Sequence, residues 1–178
     1  MKKLFIILCL LLLSACKDSS PKDINEVLMN IKNYSCEMKI ETFSNKNIIL
    51  FNANETYKYP DIYTITFDDS TNINYSNNKL SIFNNLLKIQ KEFDEYKNIN
   101  QNPLFLSYYL NTYFNSPSEN ILKLDNSEVT IALPSNNPFL YTATLKLENN
   151  IPSSITYFDK NGTEKINIIY SKFDFESP

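Results

Sequence analysis

The chain reads as an α+β protein in which one long antiparallel sheet carries a few helices on one face, and three observations predict it. Most segments between Tyr34 and Tyr170 repeat their apolar residues every second position, the spacing of half-buried strands. Clusters such as Asp68-Asp69 and Asn77-Asn78 separate several of these segments, and Asn and Asp suit tight turns because they tolerate the left-handed region. Two stretches alone change to helical spacing, and a run of strands interrupted by a few helices is the α+β pattern.

The first helix is predicted just past the N-terminal leader. Ser20 can cap it with Pro21 at its first position, and Ile24, Val27, Leu28 and Ile31 follow at i, i+3, i+4 and i+7. From Tyr34 the period falls to two: Tyr34, Cys36, Met38 and Ile40 alternate with Ser35, Glu37, Lys39 and Glu41. Cys36 lies on the apolar face of that strand and reads as a small buried hydrophobe. Further strands are expected at Ile48 to Ala53, Ile62 to Phe67, Ile73 to Tyr75, Lys79 to Phe83 and Leu86 to Ile89, an antiparallel meander. A second helix interrupts it, with Asn102-Pro103 as cap and first-turn proline and Ser116-Pro117 as its end. Its apolar face holds Leu106, Tyr109, Leu110, Tyr113 and Phe114, and lying in the mouth of a curved sheet it would act as a lid or plug. Strands resume at Ile121 to Leu124, Val129 to Leu133, Leu140 to Leu147, Ser154 to Phe158 and Glu164 to Tyr170. Asp159-Lys160-Asn161-Gly162 joins the last two, and Asn-Gly between alternating segments is a strong hairpin signal.

The N-terminus carries an address. Lys2 and Lys3 precede ten apolar residues from Leu4 to Leu13, then Ser14, Ala15 and Cys16, the order of a signal peptide. A membrane span needs about 20 apolar residues, and this run is half as long. Leu13-Ser14-Ala15-Cys16 resembles the lipobox of bacterial lipoproteins, which implies cleavage before Cys16 and a diacylglycerol on its thiol. Two acyl chains at about 0.8 kcal/mol per buried methylene make a stable anchor. The expected organisation is thus a signal peptide over 1–15, a lipidated tether over 16–22 and a single domain over 23–178, on the outer side of a membrane. The tether from Lys17 to Lys22 reaches only about 20 Å, so the folded body sits close to the bilayer. Roughly 160 residues remain after cleavage, enough for one domain with a real core.

Composition excludes several function classes. Cleavage removes Lys2 and Lys3 and leaves 15 lysines against 20 acids, a net charge of −5, which argues against nucleic acid. The chain has no arginine, so bidentate recognition of phosphate is not available. It also has no histidine, the usual general base and the commonest metal ligand. Of three cysteines, Cys9 leaves with the leader and Cys16 is lipidated, so Cys36 has no internal disulfide partner. Carboxylates pair at Asp68-Asp69, at Glu92 with Asp94 and Glu95, and at Asp174 with Glu176, positions that suit solvated turn or terminal charges. Asp159-Lys160-Asn161-Gly162 has the opening of a calcium loop without its later ligands. No catalytic residue, cofactor or metal is expected. The 12 Tyr and 12 Phe serve either to fill a core that lacks tryptophan or to line an acyl-chain cavity.

The order of elements resembles the LolA and LolB superfamily of lipoprotein carriers. The likeness rests on a helix running into Tyr34-Ser35-Cys36-Glu37-Met38, then on Tyr59-Pro60-Asp61-Ile62-Tyr63-Thr64-Ile65, where the family places a proline before its next strand. The hairpin from Ile73 through Asn77-Asn78 to Phe83 and the proline-led hairpin from Ile151-Pro152 to Asn161-Gly162 are similar as well. Asn78 stands where the family usually has glycine, and the missing arginine, which many carriers place inside the barrel, argues against transfer of lipid cargo. The resemblance implies an incomplete, strongly curved antiparallel β-barrel with helices on its concave face. Within that superfamily the lipidated chain resembles the clostridial germination lipoproteins of the GerS group. That likeness implies a non-enzymatic spore protein that binds and supports the amidase acting on cortex peptidoglycan and dimerises through its sheet. The alternating segment Glu164 to Tyr170, with Phe173 and Phe175, is the expected edge. The alternative is a carrier or sensor that holds a lipid or lipoprotein acyl chain in the barrel.

Overall fold

The computed structural model describes residues 23–44, 47–60, 62–94, 102–134 and 139–175. The signal peptide, Cys16, the tether with Ser20 and Pro21, and Asp61, Glu95 and Glu176 lie outside the described residues.

Helix α1 (Ile24–Met29) is capped by Asp23, whose carboxylate accepts the Asn25 N–H at 3.1 Å and satisfies a donor that the first turn leaves free. Ile24, Val27 and Leu28 form its buried face. Six strands then run back and forth: β1 (Asn33–Phe43), β2 (Ile48–Lys58), β3 (Ile62–Phe67), β4 (Thr71–Ser76), β5 (Lys79–Asn84) and β6 (Ile89–Phe93). Helix α2 (Leu106–Asn115) and a 3-10 turn (Ser118–Asn120) lead into β7 (Ile121–Leu124), β8 (Glu128–Ala132), β9 (Thr142–Glu148), β10 (Ile151–Phe158) and β11 (Glu164–Phe175).

All eleven strands form one antiparallel sheet in the order β6-β5-β4-β3-β2-β1-β11-β10-β9-β8-β7. The fold is two meanders joined where the first strand pairs with the last, Thr42 facing Ile166 at one end and Tyr34 facing Phe175 at the other. The sheet curves without closing, because β6 and β7 remain as its two edges. The result is the expected α+β architecture, an incomplete barrel with its helices on the concave face.

The turns explain the register. Asn77 and Asn78 both have positive φ, 51° and 62°, as a two-residue type I′ hairpin turn requires. Asn149 and Asn150, at 53° and 64°, do the same between β9 and β10. The Asn161-Gly162 hairpin forms with a longer turn than the two-residue kind: Gly162 alone has positive φ (74°), its N–H bonds back to the Asp159 carbonyl at 3.0 Å, and Asp159 accepts the N–H groups of Asn161 and Thr163. That is a three-residue loop closed by a glycine bulge.

Three expectations are corrected. Leu86 and Leu87 belong to a turn and are exposed, and the strand there begins at Ile89, because the Asn84 side chain accepts the Leu87 N–H at 2.8 Å and folds the chain over. Helix α2 begins at Leu106, since Asn102 spends its side chain on the Leu104 N–H at 3.0 Å and builds a turn before the helix. Glu164 to Tyr170 is no edge: β11 is paired on both sides, with β1 and β10.

The concave face is built in rows across the strands. One row passes through Leu80, Tyr75, Tyr63, Tyr57 and Tyr34, each facing the next across a ladder. Its rings touch, Tyr57 on Tyr63 at 4.7 Å and Tyr34 on Phe173 at 5.0 Å, and such pairs add about 0.5–1.5 kcal/mol each beyond area burial. A β-bulge makes the last contact possible. Glu37 faces Ser171 while Ser35 faces Asp174, so Lys172 and Phe173 share one opposing position and Lys172 takes a positive φ of 47°.

Candidate functional site

Helix α2 lies across the inside of the sheet. Tyr109, fully buried, donates its hydroxyl to the Val129 carbonyl on β8 at 2.6 Å, and the Phe105 ring meets Tyr63 of β3 edge-on at 5.2 Å. Tyr108 approaches Tyr157 of β10. The helix therefore spans the barrel from one meander to the other. Of the residues read as its apolar face, Leu106, Tyr109, Leu110 and Tyr113 are buried against the core, whereas Phe114 is 42% exposed beside α1. The Tyr113 hydroxyl hydrogen-bonds the Asn25 side chain and ties the two helices together.

Beneath the start of α2 sits a polar group that strand periodicity does not announce. Glu55 of β2 is fully buried, on the inward side between Ala53 and Tyr57. Its Oε1 accepts the Tyr34 hydroxyl at 2.8 Å, and the backbone N–H of Leu106, at the N-terminus of α2, faces the carboxylate. Its Oε2 has no hydrogen-bond partner among the described residues, nor do the buried hydroxyls of Tyr157 and Tyr170. Burial outweighs the two hydrogen-bond donors and pushes the Glu55 carboxyl up to about 8. Cys36, directly opposite Glu55 on β1, is buried, and burial raises its thiol far above the usual range, which makes it inert rather than nucleophilic.

Cavities open on the surface of the described residues. A groove of about 340 Å³ runs between α1 and α2, with Leu28, Met29, Lys32, Tyr59, Leu110 and Phe114 in its walls. At the other end of α2 a hollow of about 260 Å³ is lined by Ile40, Phe51, Phe67 and Leu104. Another, of about 520 Å³, lies between the exposed Phe139 and the Asp159–Asn161 turn, with Leu140 and Ile166 in its walls. The barrel centre itself is filled by side chains under 2% exposed, among them Tyr34, Tyr63, Phe105, Ile131, Leu145 and Tyr157.

Several of the described carboxylates do structural work. Asp69 accepts the Thr71 N–H at 2.9 Å and Asp68 accepts the Asn52 amide, which shapes the β3–β4 turn. Asp94 pairs with Lys79, and Asp159 with Lys165. The N–H groups of Thr163 and Asn161, together with Lys165, hold the Asp159 carboxyl below the usual carboxylate range. No group of three potential metal ligands occurs among the described residues.

Known proteins supply the context for this geometry. The family model described as sporulation protein YdcC-like matches residues 1–177. The chain belongs to that family. A comparison with curated protein sequences finds no match. Among solved structures, a chain in the complex of the CwlD amidase from Clostridioides difficile with the GerS lipoprotein is 19% identical, with a TM-score of 0.52, over 91% of this chain and 97% of that one. An uncharacterised conserved protein of Thermus thermophilus is 10% identical with a TM-score of 0.51, over 87% and 86% of the two chains. The LolA superfamily protein NE2245 of Nitrosomonas europaea is 7% identical with a TM-score of 0.40, over 88% and 94%. The YdcC-like chain thus shares its fold with a chain of the complex between the amidase and the GerS lipoprotein. No helix among its described residues is long and apolar enough to cross a membrane.

Proposed function

We propose that this YdcC-like protein is a lipid-anchored, non-enzymatic lipoprotein of the cell envelope in a spore-forming bacterium. It binds and activates a cell-wall amidase that acts on cortex peptidoglycan. The observation that carries the reading is the likeness, along almost the whole domain, to a chain of the complex between an amidase and the GerS lipoprotein, in a chain whose family is a sporulation family. A barrel centre filled by side chains supports a binding partner over a carrier that would hold an acyl chain at that centre. The absence of histidine from the sequence and the structural duties of Asp68, Asp69 and Asp94 support the lack of an activity of its own. Cys16 carries the diacylglycerol that holds the protein at the membrane.

The deciding experiment is affinity capture from sporulating cells, joined to muropeptide analysis and germination assays of a deletion strain. The expected result is recovery of a peptidoglycan amidase together with loss of muramic lactam from the cortex and failure to germinate. Captured lipid in place of protein, with an unchanged cortex, would replace this reading with the acyl-chain carrier.

A further inference from the structure

We infer that the groove between α1 and α2 is the surface on which the folded domain rests against the lipid bilayer. The inference builds on the lipid anchor at Cys16 proposed above and assigns a contact face to it.

Reach comes first. Asp23, the cap of α1, lies seven residues after Cys16, and seven residues fully extended span at most about 25 Å. That tether holds the α1 side of the domain next to the membrane that carries the anchor. The groove is on that side, because Leu28, Met29 and Lys32, in and just after α1, form one of its walls.

Chemistry comes second. Met29 is 59% exposed, Tyr59 64% and Phe114 42%, three large apolar or aromatic side chains around one groove. Single exposed apolar residues need no explanation, but a contiguous set marks a contact surface. Tyrosine sits at the headgroup level of a bilayer, methionine and phenylalanine reach the acyl boundary, and lysine lays its stem along apolar surface with its charge in water. Lys32 stands on the groove's wall, and no carboxylate is among its described lining residues. The two acids of α1 and its cap, Glu26 and Asp23, lie toward the helix N-terminus.

The mature chain is acidic overall, so this contact is apolar rather than electrostatic, and the acyl chains supply the affinity while the groove sets the orientation. One consequence concerns the partner. Lys58, next to Tyr59, faces Asn33 at the groove end of β1, whereas Thr42 faces Ile166 at the other. Nine residue steps at 3.2–3.4 Å separate those ends, about 30 Å. Seating the groove on lipid points Phe139, Ile166 and the Asp159–Asn161 turn away from the membrane, toward the wall.

The sequence lacks tryptophan, so single substitutions place a fluorophore without interference. Full-length protein, lipidated in the producing cell, is reconstituted in phosphatidylcholine vesicles with or without dibrominated phosphatidylcholine. Phe114→Trp and Tyr59→Trp, both at exposed positions that tolerate a larger ring, should show blue-shifted emission quenched several-fold by the brominated lipid. Phe139→Trp should not. Equal quenching at Phe114→Trp and Phe139→Trp, with the Cys16 peptide carrying its lipid by mass spectrometry, overturns the contact face and leaves the anchor standing. Shielding of Phe114→Trp by the amidase but not by vesicles also overturns it, and makes the groove a protein-docking face. An unmodified Cys16 overturns both anchor and contact face.

Discussion

Glu55 couples the stability of the domain to pH. Its carboxyl has an ordinary value of 4.5 in the unfolded chain and is pushed up to about 8 in the folded one, so between those values the folded state holds a proton that the unfolded state has lost. Stability from this group is fully present below about 4.5 and is lost as the pH rises through about 8. Denaturant titrations across that window should show unfolding free energy falling by a few kcal/mol in the wild type. Glu55→Gln should flatten the fall and exceed the wild type above about pH 8; an equally steep fall in the variant would assign the pH dependence elsewhere. The tyrosines around it are not equivalent. Tyr34 donates to Glu55, so Tyr34→Phe removes a partner from a buried carboxyl and should cost about 1–3 kcal/mol. Tyr157 and Tyr170 bury hydroxyls without a partner among the described residues, so Tyr157→Phe and Tyr170→Phe should be near neutral or stabilising in the same titration. Glu55 is the residue that sequence reading missed. Asn52, Asn54, Glu55 and Thr56 end the apolar alternation that marks β2, and only the parity of Ala53, Glu55 and Tyr57 could have placed an acid on the inward face.

At the scale of elements, what was legible followed from local chemistry. β3 and β7 have the bounds read from their alternation, and Asn77-Asn78 turns where two adjacent residues tolerant of positive φ predict a turn. Errors arose where an apolar run did not mean a strand, as at Leu86-Leu87, or where a side chain capped a turn and not a helix, as at Asn102. The Asn149-Asn150 turn uses the chemistry of Asn77-Asn78, and its two adjacent asparagines carry the same signal. That chemistry predicts two opposite outcomes in thermal denaturation. Asn150→Gly, which frees a residue at φ 64° in a type I′ turn, should stabilise by about 0.5–1 kcal/mol. Gly162→Ala meets no atom within 4 Å of the added carbon, so its cost is backbone strain alone at φ 74°, about 1–2 kcal/mol.

For the whole molecule, the sequence signalled a curved sheet interrupted by a helix but not the order of strands, because the pairing of β1 with β11 joins residues more than a hundred positions apart and has no local signature. The same limit misplaced the sheet edge at β11. Cys16→Ala, a change outside the described domain, should leave a folded but unlipidated protein, shed from the membrane or retained as the uncleaved precursor; fractionation that finds it firmly in the membrane would remove the anchor. Self-association by strand pairing, which we propose for this protein as well, is open among the described strands to β6 and β7. β6 carries Gln90, Lys91 and Glu92, and its neighbourhood includes the Lys79–Asp94 pair, charges that discourage a strand from docking. β7 is the better edge. Leu122 and Leu124 are 56% and 48% exposed on a four-residue strand with one lysine between them. Two copies joined there would form a continuous sheet through an isologous contact, the commonest symmetry of soluble oligomers. Light scattering of the soluble domain should show a mass that rises toward the dimer with concentration, and Leu122→Lys with Leu124→Lys should hold it at the monomer. A wild type that stays monomeric at high concentration, or a dimer indifferent to both lysines, would show that β7 is not the interface.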